Sequence, residues 1–271
     1  MSLAKQAILF VVDGLRPDAL HQALTPEIDR LAAQGAYTWG AQTVIPSISL
    51  PCHASMFCAV PPTYHGIIDN VWTPSQPPVP SLIEVVHQSG LGTAAFYSWE
   101  PLRDLARPGS LDVAYYRRLA DPEGDRGAEE IASAAAKYVV QERPAFTFVY
   151  LGAPDEVGHR YGWMSAPYLQ SVSQADRAIG LVMKQMRAVG SLNDSAFLIL
   201  ADHGGHDSDH SAGLSQDLTI PWIVSGPGVR RGHQIQRAVS IMDTAPTLAH
   251  LLGLSLPAEW SGQVVAEALA R

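Results

Sequence analysis

The sequence predicts an α/β fold, with a mostly parallel central sheet flanked by helices on both faces. Short continuous apolar runs alternate with longer amphipathic segments along the 271 residues, which is the pattern of buried parallel strands connected by helices. Three of the apolar runs are followed by aspartate or histidine. Because open parallel sheets bind ligands outside the carboxyl ends of their strands, these polar residues are expected to meet at one edge of the sheet.

Five apolar runs are predicted to be strands, beginning with AILFVV at residues 7–12. This first run is too short for a membrane span or for the core of a signal peptide. The other four predicted strands occupy residues 93–98, 145–152, 196–204 and 220–226.

Helices are predicted between these strands. In TPEIDRLAAQGA, Thr25 is expected as the N-cap, Pro26 as the first helical residue and Gly35 as the residue that ends the helix. Further helices are predicted near residues 80–89, 127–142, 167–189 and 243–252.

One segment lacks this periodicity. Residues 97–126 are rich in Arg, Asp, Pro and Tyr, and we interpret them as a small lid inserted in a single domain that spans residues 1–271.

The composition is that of a globular protein that binds neither nucleic-acid polymers nor membranes. Hydrophobic residues make up 47% of the chain and charged residues 16%, which supplies a core and is unlike disordered sequences. The net charge of -8 opposes binding to nucleic acids or anionic lipid surfaces, because both need clustered Lys and Arg. A small phosphate ester could still bind if metal ions offset the negative charge.

The cysteines give no sign of a disulfide framework. Cys52 and Cys58 are too few for one and are not spaced as CxxC, so we predict two free thiols on a helix. Without a leader-like segment we expect a cytoplasmic protein, or a periplasmic or secreted one if a leader has been trimmed. The sequence makes no prediction of the oligomeric state.

The residues that follow the predicted strands suit a metal site. Asp13 follows the first strand, Asp155 and His159 follow the third in YLGAPDEVGH, and Asp202 and His203 lie at the end of the fourth in LILADHGGHDSDH. Carboxylate and imidazole are ligands that suit zinc and similar ions, and a spacing of four puts a residue pair on one face of a helical turn. Any one of these residues alone could be a cap or turn residue. Their joint occurrence at three strand ends favours an open, catalytic metal site.

A nucleophile is suggested by VIPSISLPCHASMF at residues 44–57. A serine nucleophile at a helix N-terminus would place its developing charge beside unpaired backbone N–H groups. An ordinary capping serine would occupy the same position. The local sequence leaves Ser47, Ser49 and a plain serine-rich turn all open.

Four segments, in order, resemble the signatures of the alkaline phosphatase superfamily. They are VVDGLRPD, ISLPCHASMFCAVPPTYHGIIDN, PDEVGHRYG and ADHGGH followed by a further His. The chain is most similar to the type I phosphodiesterase/nucleotide pyrophosphatase branch, with phosphonoacetate hydrolases as near relatives. The resemblance covers most of residues 7–265 and depends on the ordered set rather than on any single segment.

The resemblance implies a site for two divalent metal ions and a serine nucleophile. Ser49 stands two residues before Pro51 of the [ST]-x-P-x-H element and corresponds to the nucleophile, with the helix expected to start near Leu50 and Ser47 as a neighbouring capping residue. Asn70 corresponds to an asparagine that binds a non-bridging phosphate oxygen. The implied ligands are Asp13, Ser49, Asp202 and His203 for one ion, and Asp155, His159 and His210 for the other.

Other histidines are assigned different roles by the same resemblance. His210 is chosen as the last ligand because short members of the superfamily resemble DHGGHDSDH with its final His as ligand. His206 is the second candidate, and it would otherwise contact the substrate or a ligand residue. His53 and His65 are interpreted as structural.

The implied activity is hydrolysis of a phosphoric ester through a phosphoseryl intermediate. The ions are expected to be zinc, with manganese or iron as alternatives, and the substrate a small phosphate ester such as a nucleotide. A neutral amide at Asn70 suits the single charge of a diester, whereas Arg16 and Arg103 are the candidates for binding a dianionic monoester. A phosphonate or phosphomonoester hydrolase and a catalytically silent metal-binding module are the alternatives.

Overall fold

A computed structural model describes residues 4–73, 79–119 and 127–270. Its described residues form an eight-stranded sheet with the strand order β4-β3-β5-β1-β6-β7-β2-β8. The strands are β1 (Gln6–Val12), β2 (Ala36–Gln42), β3 (Thr93–Tyr97), β4 (Val113–Tyr116), β5 (Phe146–Leu151), β6 (Ser195–Leu200), β7 (Thr219–Ser225) and β8 (His233–Gln234). β7 runs antiparallel to both of its neighbours, and the other pairs are parallel.

Helices cover both faces of this sheet. They are α1 (Pro26–Gln34), α2 (Ser49–Cys58), α3 (Pro62–His65), α4 (Leu82–Gln88), α5 (Gly127–Glu142), α6 (Ala153–Tyr161), α7 (Ala166–Ala188), α8 (Ser215–Leu218) and α9 (Thr244–Leu251). α7 packs against α1, α5 and α6, while α2, α4 and α9 pack against one another. Every residue of β1, β5 and β6 is buried, as the continuous apolar runs predict for central strands.

The predicted fold class is confirmed, and the strands that the sequence did not reveal lie away from the centre of the sheet. β4 is an edge strand whose residues are half-buried or exposed, and β2 alternates between buried and more exposed positions. Neither needs a continuous apolar run, because only one face is covered. β4 lies within residues 97–126, so part of the predicted lid belongs to the sheet, and residues 120–126 lie outside the described residues.

The positions predicted for α1 are confirmed, with Thr25 at the N-cap, Pro26 as the first helical residue and Gly35 at the C-cap, but the contacts at both ends differ from those of ordinary caps. The Thr25 side chain makes no capping bond; instead Asp176 of α7 accepts hydrogen bonds from the backbone N–H groups of Glu27 and Ile28. Gly35 is extended, with φ of -130°, rather than left-handed. A Cβ at this glycine would lie 2.0 Å from the Val224 carbonyl oxygen, so close packing of α1 against β7 requires glycine there.

Two further properties concern the described residues alone. Both cysteines lie on α2 as free thiols, as predicted. None of the helices in the described ranges combines the length and the apolar character that crossing a bilayer requires.

Candidate active site

The carboxyl ends of three adjacent parallel strands bring the predicted acidic residues together. β5, β1 and β6 are neighbours in the sheet. Asp13 directly follows β1, Asp202 lies two residues after β6, and Asp155 lies in the first turn of α6, which follows β5. The convergence expected from the sequence therefore occurs at this edge.

A fully buried set of side chains lies deepest in the sheet edge, and we call Asp13, Asp202 and His203 the inner group. Their potential ligand atoms all lie within 4.8 Å of one another. His203 Nε2 is 3.3 Å from Asp13 Oδ1 and 3.4 Å from Asp202 Oδ2. Ser49 Oγ lies 3.2 Å from the same His203 nitrogen, which places the serine beside this group.

A second set of side chains lies nearer to solvent, and we call Asp155, His159 and His210 the outer group. His210 Nε2 is 3.8 Å from Asp155 Oδ1, and His159 Nε2 is 3.5 Å from Asp155 Oδ2. The ring of His210 stacks on that of His203, with centroids 3.8 Å apart and an interplanar angle of 14°. The ligand atoms within 4.8 Å of one another here belong to Asp155, His203 and His210, so His203 borders both groups and His159 stands farther out than expected.

The histidines of the site present lone pairs to the carboxylates. The Nδ1 atoms of His203, His210 and His159 face the backbone carbonyl oxygens of Gly204, Ser47 and Ser208 at 2.9, 2.6 and 2.9 Å. A carbonyl oxygen only accepts hydrogen bonds, so each Nδ1 carries the ring proton and each Nε2 carries a lone pair. These Nε2 atoms face carboxylate oxygens, which are also electron-rich.

Each carboxylate of the inner group has one oxygen held by the protein and one left without a partner. Asp202 Oδ1 accepts the backbone N–H groups of Gly14 and His203 at 3.2 and 3.0 Å, and Asp13 Oδ2 accepts the Tyr150 hydroxyl. The buried carboxylate oxygens of the site that lack hydrogen-bond partners are Asp13 Oδ1, Asp155 Oδ1 and Asp202 Oδ2. Acceptors that face acceptors in a buried site need a proton or a cation between them, and this set of carboxylates and imidazoles fits divalent metal ions.

The pKa values of the carboxyl groups and imidazoles in the site are shifted by this arrangement. Burial, and then the charge of Asp13, raises the pKa of both Asp155 and Asp202 well above its ordinary value. Burial lowers the pKa of His203 to about 3 and also lowers the pKa of His210. Without a cation the site therefore holds carboxylates that resist ionisation beside imidazoles that resist protonation. Neutral imidazoles are the form that binds metals.

The serine stands at the amino end of α2. Ser49 is the first helical residue, Ile48 occupies the cap position, and the side chain of Ser49 is buried. Asn70 is exposed, and its Oδ1 accepts the backbone N–H of Leu50 at 3.0 Å. His53 Nδ1 lies 2.8 Å from the Ser49 carbonyl oxygen, which fits its interpretation as a structural residue of this helical turn.

Ser47 does not have the capping role that was expected of it. Its hydroxyl donates to the carbonyl oxygen of His210 at 2.6 Å, and its own carbonyl oxygen accepts from His210 Nδ1 at 2.6 Å. The cap position belongs to Ile48, whose extended backbone turns Ser47 away from the helix and toward the loop that carries His210.

His206 and the two candidate arginines are occupied by contacts of their own. His206 Nδ1 is 2.6 Å from the buried Asp217, and His206 belongs to neither set of clustered ligand atoms among the described residues. Arg16 pairs with Asp18 and donates to the Gly205 carbonyl oxygen, and Arg103 pairs with Glu100. Both guanidinium groups are therefore already engaged.

Tyr150 is a site residue that the sequence analysis missed. Its ring is buried on β5, and burial followed by the charge of Asp13 raises the pKa of its hydroxyl well above the ordinary value. It lines a cavity of about 500 Å³ together with Trp99, Tyr116 and Glu156. A signal was present, because a tyrosine inside a buried strand needs a hydrogen-bond partner.

Comparison with known proteins identifies the family of this chain. The family model described as type I phosphodiesterase/nucleotide pyrophosphatase matches residues 7–224. Ectonucleotide pyrophosphatase/phosphodiesterase family member 3 of Bos taurus is 28% identical over 225 residues, which cover 73% of this chain and 24% of the relative. Venom phosphodiesterase of Macrovipera lebetinus is 28% identical over 220 residues, with 73% of this chain and 25% of the relative covered. The chain thus spans about a quarter of the length of these curated relatives.

Solved structures show the same fold at lower sequence identity. A 2-O glycosaminoglycan sulfatase has a TM-score of 0.82 at 16% identity, covering 98% of this chain and 74% of its own. Murine ectonucleotide pyrophosphatase/phosphodiesterase 5, solved as an inactive form in complex with AMP, has a TM-score of 0.78 at 14% identity and covers 98% of this chain and 100% of its own. These neighbours share the α/β fold of this chain.

Proposed function

The chain belongs to the type I phosphodiesterase/nucleotide pyrophosphatase family, and from this membership and its site we propose that it is a metal-dependent phosphodiesterase that acts through a phosphoseryl intermediate on Ser49. The observation that carries the proposal is the position of Ser49 Oγ, 3.2 Å from His203 Nε2, where the helix α2 begins and the buried carboxylates meet. A serine that only capped a helix would not need to lie beside a set of buried carboxylates and imidazoles.

Two sets of residues would hold the ions. Asp13, Ser49, Asp202 and His203 would hold one, and Asp155, His159 and His210 the other. Zinc is the proposed metal, since carboxylate and imidazole suit it, with manganese or iron as alternatives. When bound, such ions supply positive charge that lowers the pKa of a hydroxyl and offsets charge on a departing oxygen.

The reaction follows from the position of the serine. Ser49 Oγ would form a bond to phosphorus as the bond from phosphorus to the first alcohol breaks, and this alcohol leaves with a proton. Water would then attack the phosphoserine, release a phosphomonoester and restore the Ser49 hydroxyl. The backbone N–H groups that begin α2 would face the negative charge on the phosphoryl oxygens. In the net reaction one P–O ester bond is hydrolysed and one water molecule is consumed.

A diester is proposed rather than a monoester because the described residues offer no unpaired arginine at the serine. Arg16 and Arg103 already pair with carboxylates. Asn70 would contact a phosphoryl oxygen through its amide, since its Oδ1 already accepts the N–H of Leu50. A neutral donor matches the single negative charge of a diester. The cavity lined by Trp99, Tyr116 and Tyr150 would receive an organic substituent, such as that of a nucleotide.

The proposal is tested by assaying the purified protein after chelation and reloading with zinc or manganese. We expect hydrolysis of bis-p-nitrophenyl phosphate to exceed that of p-nitrophenyl phosphate and of p-nitrophenyl phenylphosphonate, and to require metal. A preference for the phosphonate would assign the protein to phosphonate hydrolysis instead, an activity named for a structural neighbour from Silicibacter pomeroyi with a TM-score of 0.76. Metal binding without turnover of any substrate would indicate a silent module.

A further inference from the structure

Tyr150 connects the inner group to the neighbouring cavity. The tyrosine lies on β5, which pairs with β1 directly before Asp13, and its hydroxyl donates to Asp13 Oδ2. Its ring makes an edge contact with His53, with centroids 5.5 Å apart. The buried ring therefore has its only polar atom on a carboxylate of the site, while another part of its surface lines the cavity.

The hydroxyl determines which oxygen of Asp13 is free. Asp13 Oδ2 is occupied by Tyr150, and Asp13 Oδ1 has no hydrogen-bond partner and lies 3.3 Å from His203 Nε2. Without the hydroxyl, the carboxylate could rotate and both oxygens would compete for the same position. A fixed single oxygen beside the imidazole lone pair is the arrangement that a preorganised ligand needs.

The surroundings of the other two carboxylates are different. Asp202 Oδ1 accepts backbone N–H groups, whereas Asp155 Oδ2 lies 3.5 Å from the Nε2 lone pair of His159, itself an expected ligand. Tyr150 thus differs from the groups beside the other two carboxylates, because it is a side chain outside the expected ligand set. It can be altered without removing a ligand.

We propose that Tyr150 is a positioning residue that holds Asp13 through Oδ2 so that Asp13 Oδ1 is directed to the metal position of the inner group. The inference rests on the proposed function, because it assumes that these carboxylates bind metal. Gly152 supports the arrangement, since a Cβ at that glycine would lie 2.7 Å from the Tyr150 ring carbon Cε1 and 2.9 Å from its hydroxyl oxygen.

The test compares Tyr150→Phe with Tyr168→Phe. Tyr168 is a matched control because it is also buried and its hydroxyl also donates to the loop that contains Asp13. The acceptor is the Gly14 carbonyl oxygen at 2.8 Å and not a carboxylate. Zinc affinity is measured by competition with a chromophoric chelator, and metal-dependent stabilisation by thermal unfolding with and without zinc. We expect Tyr150→Phe to weaken zinc binding about tenfold or more, and Tyr168→Phe to leave it within about twofold.

Kinetics separate positioning from substrate contact. Tyr150→Phe keeps the ring that lines the cavity, so at saturating zinc we expect kcat for bis-p-nitrophenyl phosphate to fall while KM stays nearly constant. Gly152→Ala provides a second route to the same result if Tyr150→Phe does not fold, because its methyl group would overlap the tyrosine ring and hydroxyl and displace them from their present position. It should weaken zinc binding in the same direction.

Three results would overturn the inference. Zinc affinity of Tyr150→Phe within twofold of the unaltered protein would remove the positioning role while the proposed function stands. An equal loss in Tyr168→Phe would assign the effect to general packing of the Asp13 loop. Failure of the unaltered protein to bind zinc or manganese would overturn the proposed function, and the inference with it.

Discussion

The inner and outer groups of the candidate site are built from different parts of the fold. The side chains of the inner group are 0 to 1% exposed, whereas those of the outer group range from 9 to 43%. Strand ends and backbone N–H groups fix the inner group, and a helix and a loop carry the outer group. The difference indicates one position sheltered from water beside the serine, and a second position nearer to solvent.

The largest expected effect tests whether the serine belongs with the inner group. Ser49→Ala should lower kcat for bis-p-nitrophenyl phosphate by about 10⁴-fold or more, because the group that forms the covalent bond is lost. Zinc binding should persist, since the carboxylates and imidazoles remain. Steady-state kinetics and chelator competition measure the two effects. Residual turnover within tenfold of the unaltered protein would show that another group, or water, attacks phosphorus.

The next prediction compares the inner group with the outer group directly. Asp202→Asn and Asp155→Asn each replace one carboxylate of the site with a neutral amide, and both should reduce metal-dependent thermal stabilisation. The loss should be larger for Asp202→Asn, by about tenfold in zinc affinity, because the inner group is shielded from water.

Unfolding experiments without metal provide a second comparison of these two variants. Metal-free Asp202→Asn should be more stable than the metal-free unaltered protein, because the amide keeps the Oδ1 hydrogen bonds and removes a buried carboxyl group whose ionisation is opposed by burial and by Asp13. Asp155 has no such backbone bonds among those described, so its variant should gain less. A larger gain for Asp155→Asn would reverse the assignment of inner and outer positions.

A smaller effect tests how the outer group is tied to the serine turn. Ser47→Ala removes the hydroxyl that donates to the His210 carbonyl oxygen but leaves the backbone carbonyl that accepts from its ring. We expect zinc affinity to fall about tenfold, with recovery in Ser47→Thr, which restores the hydroxyl. An unchanged affinity in both variants would mean that the backbone bond alone orients His210.

The smallest effect separates the pH dependence of stability in α2 from that of the metal residues. His65 accepts the N–H of Ile67 at its Nδ1, and its Nε2 lies 2.9 Å from the Ser55 hydroxyl of α2. Burial lowers the pKa of His65 to about 4, below the value of about 6.5 in the unfolded chain. Its contribution to stability is therefore fully present above pH 6.5 and is lost as the pH falls toward 4.

The corresponding experiment is urea unfolding from pH 7.5 to 4 for the unaltered protein and for His65→Gln. The unaltered protein should lose more stability across the interval than the variant does. Equal slopes would show that the acid sensitivity of this protein arises elsewhere than at His65.

The sequence by itself determined the central strands and the residues that follow them. β1, β5 and β6 are buried on both faces, so their composition is continuously apolar and visible in a local window. The polar residues at their ends are equally visible, and parallel strands force those ends to one edge. The family resemblance added the choice of Ser49 over Ser47, which local chemistry left open.

Only the tertiary structure decided how the site is held. The Tyr150 hydroxyl reaches Asp13 across 137 positions, and Ser47 meets His210 across 163. Such contacts depend on the twist and register of the whole sheet, and no local period encodes them. His203 borders both groups, and His159 lies farther out than expected. Neither position could be predicted from the sequence, because side-chain directions at strand ends and helix starts are fixed by packing rather than by sequence spacing.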